Sequence, residues 1–384
     1  MTRLFFATLI LLIPATTFAA DMNAFLKSVK PDATKLGISD ATFASATRGL
    51  TIDPQIERLT RRQPELVRPI GQYIERRVGS LARSGQGKMR GQRRTFERIE
   101  KTFGTDPYVV AAIWGMETGF GGNIGKSDVF RSLATLAAQK YRGDFFRSQF
   151  LDALLILETE GLPRSRFVGS WAGAMGQTQF IPSSYISYAV DFDGDKMRDV
   201  WRSVPDALAS TANYLKEKGW IAGQPWGYAV RWPDGLAREA QTKSWSEWHK
   251  IGAKARSGAR FPRGGEATSF FPAGAEGPAF LITLNYDVIR DYNSSDSYSL
   301  SVALTADRLR GGPAINLKWP SAETVNRDQR LAIQKALRAR GHVLSNDAGR
   351  ITRDVRAAIA IEQRRMGVLA DGYPDVDLLR QLNR

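Results

Sequence analysis

Cysteine is absent from the 384 residues, and histidine occurs only at His249 and His342. The first absence excludes disulfides, a thiol nucleophile and lipid attachment through sulfur. Two histidines without thiols cannot build a zinc site from several His/Cys ligands. A Ser-His-Asp triad would have to recruit one of the two. Neither lies beside a nucleophile motif: His249 sits in WSEWHK and His342 in a small C-terminal unit. Carboxylates are left as the acids and bases of any enzyme formed here.

Long apolar runs are equally scarce. LFFATLILLIPA, after Arg3, is short for a membrane span. With Thr17-Phe18-Ala19 as a small-x-small site, residues 1–19 read as a secretory signal peptide, an uncleaved anchor being the alternative. An exported, soluble, periplasmic protein is expected. The net charge of +15 and pI ≈ 10.0 suit an anionic partner, or simply aid solubility. Export favours an anionic polymer outside the cytoplasm, such as cell wall, over nucleic acid.

From 22 to 105, AFLKSV, PELVRPIGQYIERRV and RTFERIEKTF carry apolar residues at helical spacing, and more helical candidates follow to about Lys218. The character changes over about 220–284: YAVRW alternates, FPRGGEATSFFPAGAEGP is rich in Gly and Pro, and AFLITL reads as a strand. This predicts a small β-rich insertion. Residues 313–322 read as a linker, and 323–384 as a three-helix module from QRLAIQKALRARG, TRDVRAAIAIEQRRMG and VDLLRQL. No solenoid-type repeat or low-complexity tract is present.

One stretch carries the chemistry. In DPYVVAAIWGMETGFGG, Asp106 can cap a helix that Pro107 opens, and the helix meets Gly119, Gly121 and Gly122. Glu117 therefore falls in the last turn, among apolar residues and at the negative end of the helix dipole. Both features disfavour its anion and raise its pKa. A carboxyl still protonated near neutral pH is what protonation of a glycosidic oxygen needs. An isolated Glu at the solvent end of a core helix would look the same.

ETGFGGNIGKSDVFRSLATLA (117–137) and GSWAGAMGQTQFIPSSYISYAVDFDGD (169–195) strongly resemble the B-type lytic murein transglycosylases, lysozyme-like glycan-cleaving enzymes. SVPDALASTANYLKEKGW (203–220) and NYDVIRDYNSSDSYSLSVALTADRL (285–309) continue the likeness in the same order, so it covers roughly residues 22–312. The resemblance implies a mainly α fold, a lysozyme-like helical core with a β-rich insertion, in a transglycosylase domain spanning 20–312. It implies Glu117 as the single acid/base. Glu117 would protonate the oxygen between N-acetylmuramic acid (MurNAc) and N-acetylglucosamine (GlcNAc), then take the proton of the muramic acid C6 hydroxyl as it attacks C1. The product is a 1,6-anhydro end, and no cofactor is required.

By motif position, Ser170, Gln179, Tyr292, Asn293 and Tyr298 match the family's substrate contacts. Thr178 stands where some members have Gly. DFDGDKMRDVW resembles a calcium loop with Asp191, Asp193, Asp195 and Asp199 at alternating positions. Lys196 and Arg202 depart from that pattern, and Asp206 could serve from farther along; a plain Asp/Gly turn is the alternative, and any calcium would be structural. The C-terminal module resembles small peptidoglycan-binding domains, with Thr352, Val355 and Glu362 as departures. The expected partners are peptidoglycan strands and other cell-wall enzymes, not nucleic acid, with no oligomeric state indicated. Two rival readings remain: a hydrolytic muramidase using Asp128, Asp144 or Glu158 to activate water, and a wall-binding protein without turnover.

Overall fold

A computed structural model describes residues 21–61, 69–320 and 325–383, so the expected signal peptide lies outside the described residues. The N-terminal part is helical as its periodicity predicts: α1 (Met22–Lys35), α2 (Asp40–Thr47), α3 (Pro54–Arg61), α4 (Ile70–Gly91) and α5 (Arg93–Phe103). Next comes α6 (Pro107–Thr118), whose residues Val109 to Met116 are all buried. A helix apolar on every side must be enclosed on every side. Here α4, α5, α10 (Val204–Glu217) and α13 (Asp296–Leu309) pack around it.

Between α6 and α10 lie α7 (Val129–Ala138), α8 (Phe145–Thr159) and α9 (Pro182–Tyr188). The two-residue strands β1 (Ser127–Asp128) and β2 (Val168–Gly169) pair antiparallel and tie the loop after α6 to the loop after α8. The insertion is a five-stranded antiparallel sheet. Its strands are β3 (Gly227–Arg231), β4 (Thr242–Ser244), β5 (Lys254–Ala255), β6 (Glu266–Phe270) and β7 (Ala279–Ile282), in spatial order β4-β6-β7-β3-β5. A separate apolar cluster, with Trp245 and Trp248 from α11 (Trp245–Lys250), fills one face. The chain returns to the helical core through α12 (Leu284–Tyr292) and α13.

The segment expected as a linker has no regular structure over 313–320, yet it is packed. Trp319 lies so close to α4 that a Cβ on Gly71 would meet its ring at 2.4 Å, and it faces Phe280 of β7 at 6.4 Å. Gly71 is glycine because that indole occupies the space a side chain would need. Beyond it, α14 (Arg327–Ala339), α15 (Arg353–Arg365) and α16 (Val376–Leu382) enclose their own core of Ile333, Leu337, Val355, Ile359, Leu378 and Leu382. The departures noted in this module have local explanations. Val355 is wholly buried in the module core. Glu362 is buried but paired, with His342 Nε2 at 2.6 Å, Arg365 at 2.7 Å and Arg340 at 3.5 Å. No helix among the described residues is long and apolar enough to cross a membrane.

Candidate active site

The ends of α6 are set as the sequence predicts. Asp106 accepts from the Tyr108 amide at 2.9 Å, Pro107 opens the first turn, and Gly119 closes the helix at φ 61°. Glu117 thus faces out of an otherwise buried helix, half-buried itself. The Tyr298 hydroxyl donates to Glu117 Oε1 at 2.5 Å. Burial pushes the carboxyl up, while that hydrogen bond and the Arg77 guanidinium draw it back, leaving it at about 7. Tyr298 is buried and its phenol is pushed well above its ordinary value, so it stays a donor. Oε2 is left to carry the proton.

The loop after Glu117 is held by glycine and by one amide. Phe120 adopts φ 63°, a left-handed conformation uncommon for a bulky residue, and its ring folds back against α6 and α4. A Cβ on Gly115 or on Gly85 would meet that ring at 2.6 Å. Gln177, which sequence reasoning passed over in favour of Gln179, is buried between loop and helix. Its Oε1 accepts from Trp114 Nε1 at 3.0 Å, and its carbonyl accepts from Thr118 Oγ1 at 2.5 Å. The only sequence signal was its place in the same GQTQF run.

Most of the family-matched residues lie around this loop, engaged with backbone or with Glu117. Gln179, at φ 56°, donates through Nε2 to the Gly176 carbonyl at 2.9 Å and to the Ile124 carbonyl at 3.2 Å, joining the 169–180 loop to the loop after Glu117. Ser170 Oγ accepts from the Ala174 amide at 3.0 Å and closes the AGAMG turn. Tyr292 donates to the Thr178 carbonyl at 2.6 Å, with its ring 4.9 Å from Tyr214. Asn293 is exposed, and its Oδ1 accepts from the Ser295 amide at 3.2 Å, turning the chain from α12 into α13. Tyr298 therefore touches the acid itself, whereas Ser170, Gln179, Tyr292 and Asn293 also hold backbone in place. From α4, Tyr73 and Arg77 face Glu117 as well, and neither was singled out from the sequence.

The acidic loop differs from the expected set at one position. Asp191, Asp193, Asp195 and Asp206 bring carboxylate oxygens within 4.8 Å of one another, and Asp199 is not among them. Asp199 is buried, ion-paired with Arg166, and accepts from the Trp201 and Arg202 amides at 3.0 Å. Alternation along the chain suggested Asp199, which is absent from the cluster; Asp206, named as able to serve from farther along, joins it from the first turn of α10. The acids suggested for a hydrolase are otherwise engaged or placed at helix ends. Asp128 caps α7 and pairs with Arg164 at 2.5 Å, Glu158 accepts from Ser39, and Asp144 precedes α8. A cleft of about 1010 Å³, lined among others by Tyr108, Arg90, Trp220 and Arg310, opens at the far end of α6, away from Glu117.

Comparison with known proteins gives the same assignment along most of the chain. The family described as "Transglycosylase SLT domain" matches residues 21–307. The solved structure of SltB3 from Pseudomonas aeruginosa in complex with NAG-anhNAM-pentapeptide is 42% identical and covers 95% of this chain and 100% of that one, with a TM-score of 0.81. SltB3 in complex with NAG-NAM-pentapeptide aligns at a TM-score of 0.82. Soluble lytic transglycosylase SltB1 from the same organism is 27% identical, with a TM-score of 0.65 over 75% of this chain and 99% of that one. The membrane-bound lytic murein transglycosylase B of Escherichia coli is 40% identical over 127 residues, a stretch that spans 33% of this chain and 35% of that protein. A match from residue 21 to residue 307, through every motif that surrounds Glu117, means that this chain belongs to the transglycosylase SLT domain family.

Proposed function

We propose that this protein is a lytic murein transglycosylase that cleaves the β-1,4 bond from MurNAc to GlcNAc and leaves a 1,6-anhydro-MurNAc end. Glu117 carries the reading: it is a carboxyl poised at about 7, held by a tyrosine donor at the mouth of a buried helix. As the acid it gives its proton to the glycosidic oxygen, and the bond from that oxygen to muramic acid C1 breaks. As the base it takes the proton of the C6 hydroxyl, whose oxygen bonds to C1. Glu117 ends as it began, and no water is consumed.

Glycosidases that use water or a covalent intermediate generally need a second carboxylate. Among the described residues, the side chains that shift the Glu117 carboxyl are Tyr298 and Arg77, and neither is a carboxylate. That favours an intramolecular nucleophile held close by the sugar ring, for which one acid/base suffices. The relative SltB3, crystallised in complex with NAG-anhNAM-pentapeptide, supports the same outcome. Action on murein implies a location outside the cytoplasm, the periplasm being the expected compartment.

Asp191, Asp193, Asp195 and Asp206 form an all-oxygen donor set suited to a hard cation. They would hold calcium as a brace for the loop before α10. The C-terminal module would add affinity for the wall.

The test is digestion of purified peptidoglycan by the protein and by Glu117→Gln, with mass spectrometry of the released muropeptides. Anhydro-ended fragments from the unaltered protein, and at least about a hundredfold fewer from the variant, are expected. Reducing ends would mean hydrolysis, and wall binding without release would mean a protein that binds without turnover.

A further inference from the structure

The C-terminal module does not hang from a tether. Its helix α15 meets the catalytic core at α12, α13 and β6 through charged groups, the Arg356, Arg290 and Asp296 set among them largely taken out of water. Arg356 pairs with Asp296, its side chain 11% exposed and that of Asp296 17%. Arg290, from α12, places its Nε 3.1 Å from the other oxygen of Asp296 and donates to the Ile351 carbonyl at the start of α15. Beside them Arg353 pairs with Asp287 at 2.7 Å and donates to Thr268 Oγ1 at 3.1 Å. The Arg356 guanidinium also lies over the Phe270 ring, 4.7 Å from its centroid.

Asp296 is the first residue of α13, and Tyr298 is the third. Ser295 caps that turn by accepting from the Tyr298 amide at 3.4 Å. The turn whose end is clamped by Arg356 is therefore the turn that aims the Tyr298 hydroxyl at Glu117. A hydrogen bond of 2.5 Å tolerates little movement of its donor. An anchor meant only to raise local substrate concentration would need a linker and no buried charge. A buried ion pair is an expensive way to glue two units and is better matched to fixing one arrangement.

We propose that Arg356 is a positioning residue for catalysis: by clamping Asp296 at the start of α13, the C-terminal module holds the Tyr298 hydroxyl on Glu117. The inference rests on the reading of Glu117 as the acid. The groups that face Glu117 are Tyr298 from α13, Tyr292 from α12, and Tyr73 and Arg77 from α4. Of these, only Tyr298 shares a helical turn with Asp296. When its donor slackens, the Glu117 anion loses support and the carboxyl keeps its proton to higher pH. A general acid is active while protonated, so the alkaline limb of the rate profile moves up in pH.

The experiment uses the full chain and measures the rate of anhydro-product formation against pH. The variants are Arg356→Gln, Arg356→Lys, Arg353→Gln, Tyr298→Phe and the double variant Arg356→Gln/Tyr298→Phe. Arg356→Gln is expected to lower kcat roughly tenfold, on the order of one hydrogen bond to a charged group. Its alkaline limb should move upward, with sedimentation on insoluble wall unchanged. Arg356→Lys, which keeps the charge, should recover part of the rate, and Arg353→Gln should keep the original limb. In the Tyr298→Phe background, replacing Arg356 should move the limb no further. An unmoved limb in Arg356→Gln overturns the proposal, as does full additivity with Tyr298→Phe or an equal shift in Arg353→Gln. Anhydro product from Glu117→Gln at the rate of the unaltered protein would sink the reading of the acid and is scored separately.

Discussion

Glu117, the proposed acid, is held in a state that costs stability. Its carboxyl sits at about 7 in the fold, against an ordinary value of 4.5. Between those two pH values the unfolded chain gives up the proton while the folded one retains it, so folding stability falls as pH rises through that window. Glutamine has no proton to lose. Glu117→Gln should therefore melt higher than the unaltered protein at pH 8, by up to roughly 3 kcal/mol, and little differently at pH 4. Scanning calorimetry at the two pH values checks this; an equal difference at both would contradict the raised value. The same substitution should lower turnover about 10²- to 10⁴-fold, the usual contribution of a general acid. Gln177 is the complementary case, a residue that holds the site without chemistry. Gln177→Ala would leave Trp114 Nε1 buried without its acceptor, costing about 1–3 kcal/mol, to be read from denaturant unfolding.

At the scale of elements, the site depends on how closely α4, α6 and α13 approach around Phe120. Gly85 of α4 would place a Cβ 2.6 Å from the Phe120 ring and 2.7 Å from Leu309 of α13, and Gly115 of α6 is equally crowded. Gly115→Ala replaces a poor helix former by the best one, so in open solvent it would stabilise. Here the steric cost wins: a net loss of about 1–3 kcal/mol is expected by overpacking. A raised melting temperature would show that the ring has room. The acidic loop makes the second prediction at this scale. Calcium at a hundredfold excess over its dissociation constant should stabilise the protein by about 2.7 kcal/mol. Asp206→Asn should reduce that gain and Asp199→Asn should leave it, because only Asp206 lies in the carboxylate cluster. Thermal shift with and without chelator distinguishes the two. Asp199→Asn should instead weaken the Arg166 pair whatever the metal.

The whole molecule behaves as more than a catalytic domain with an appendage. Trp319 packs under α4 and against β7, Arg356 buries its charge against α13, and Arg353, about a third exposed, pairs with Asp287 of α12. Removing one partner from a buried pair typically costs about 3–5 kcal/mol. The module and the core should therefore unfold in one transition, and Arg353→Ala/Arg356→Ala should split that transition in two. Calorimetry decides. The +15 charge belongs to this scale too, and any attraction it exerts on an anionic polymer should weaken as salt screens it.

Much of this was legible along the chain, because it depends on neighbours in sequence. Asp106-Pro107 and the glycines after Glu117 determine where α6 begins and ends. The unbroken apolar run between them determines that it is buried. The change from helical spacing to alternation predicts the sheet, and the missing cysteines and scarce histidines leave a carboxylate to do the chemistry. What the tertiary structure decided is which partners meet across long separations. Of the candidates Asp199 and Asp206, the fold brings only Asp206 into the acidic cluster, from the first turn of α10. Tyr298 reaches Glu117 from 181 residues away, and Gln177 rather than Gln179 joins the loop to α6. The module docks through Arg356 on a turn that sequence spacing leaves unpaired. Local order follows from propensity and periodicity; the pKa of one carboxyl and the aim of one hydroxyl follow from packing, which no stretch of sequence contains by itself.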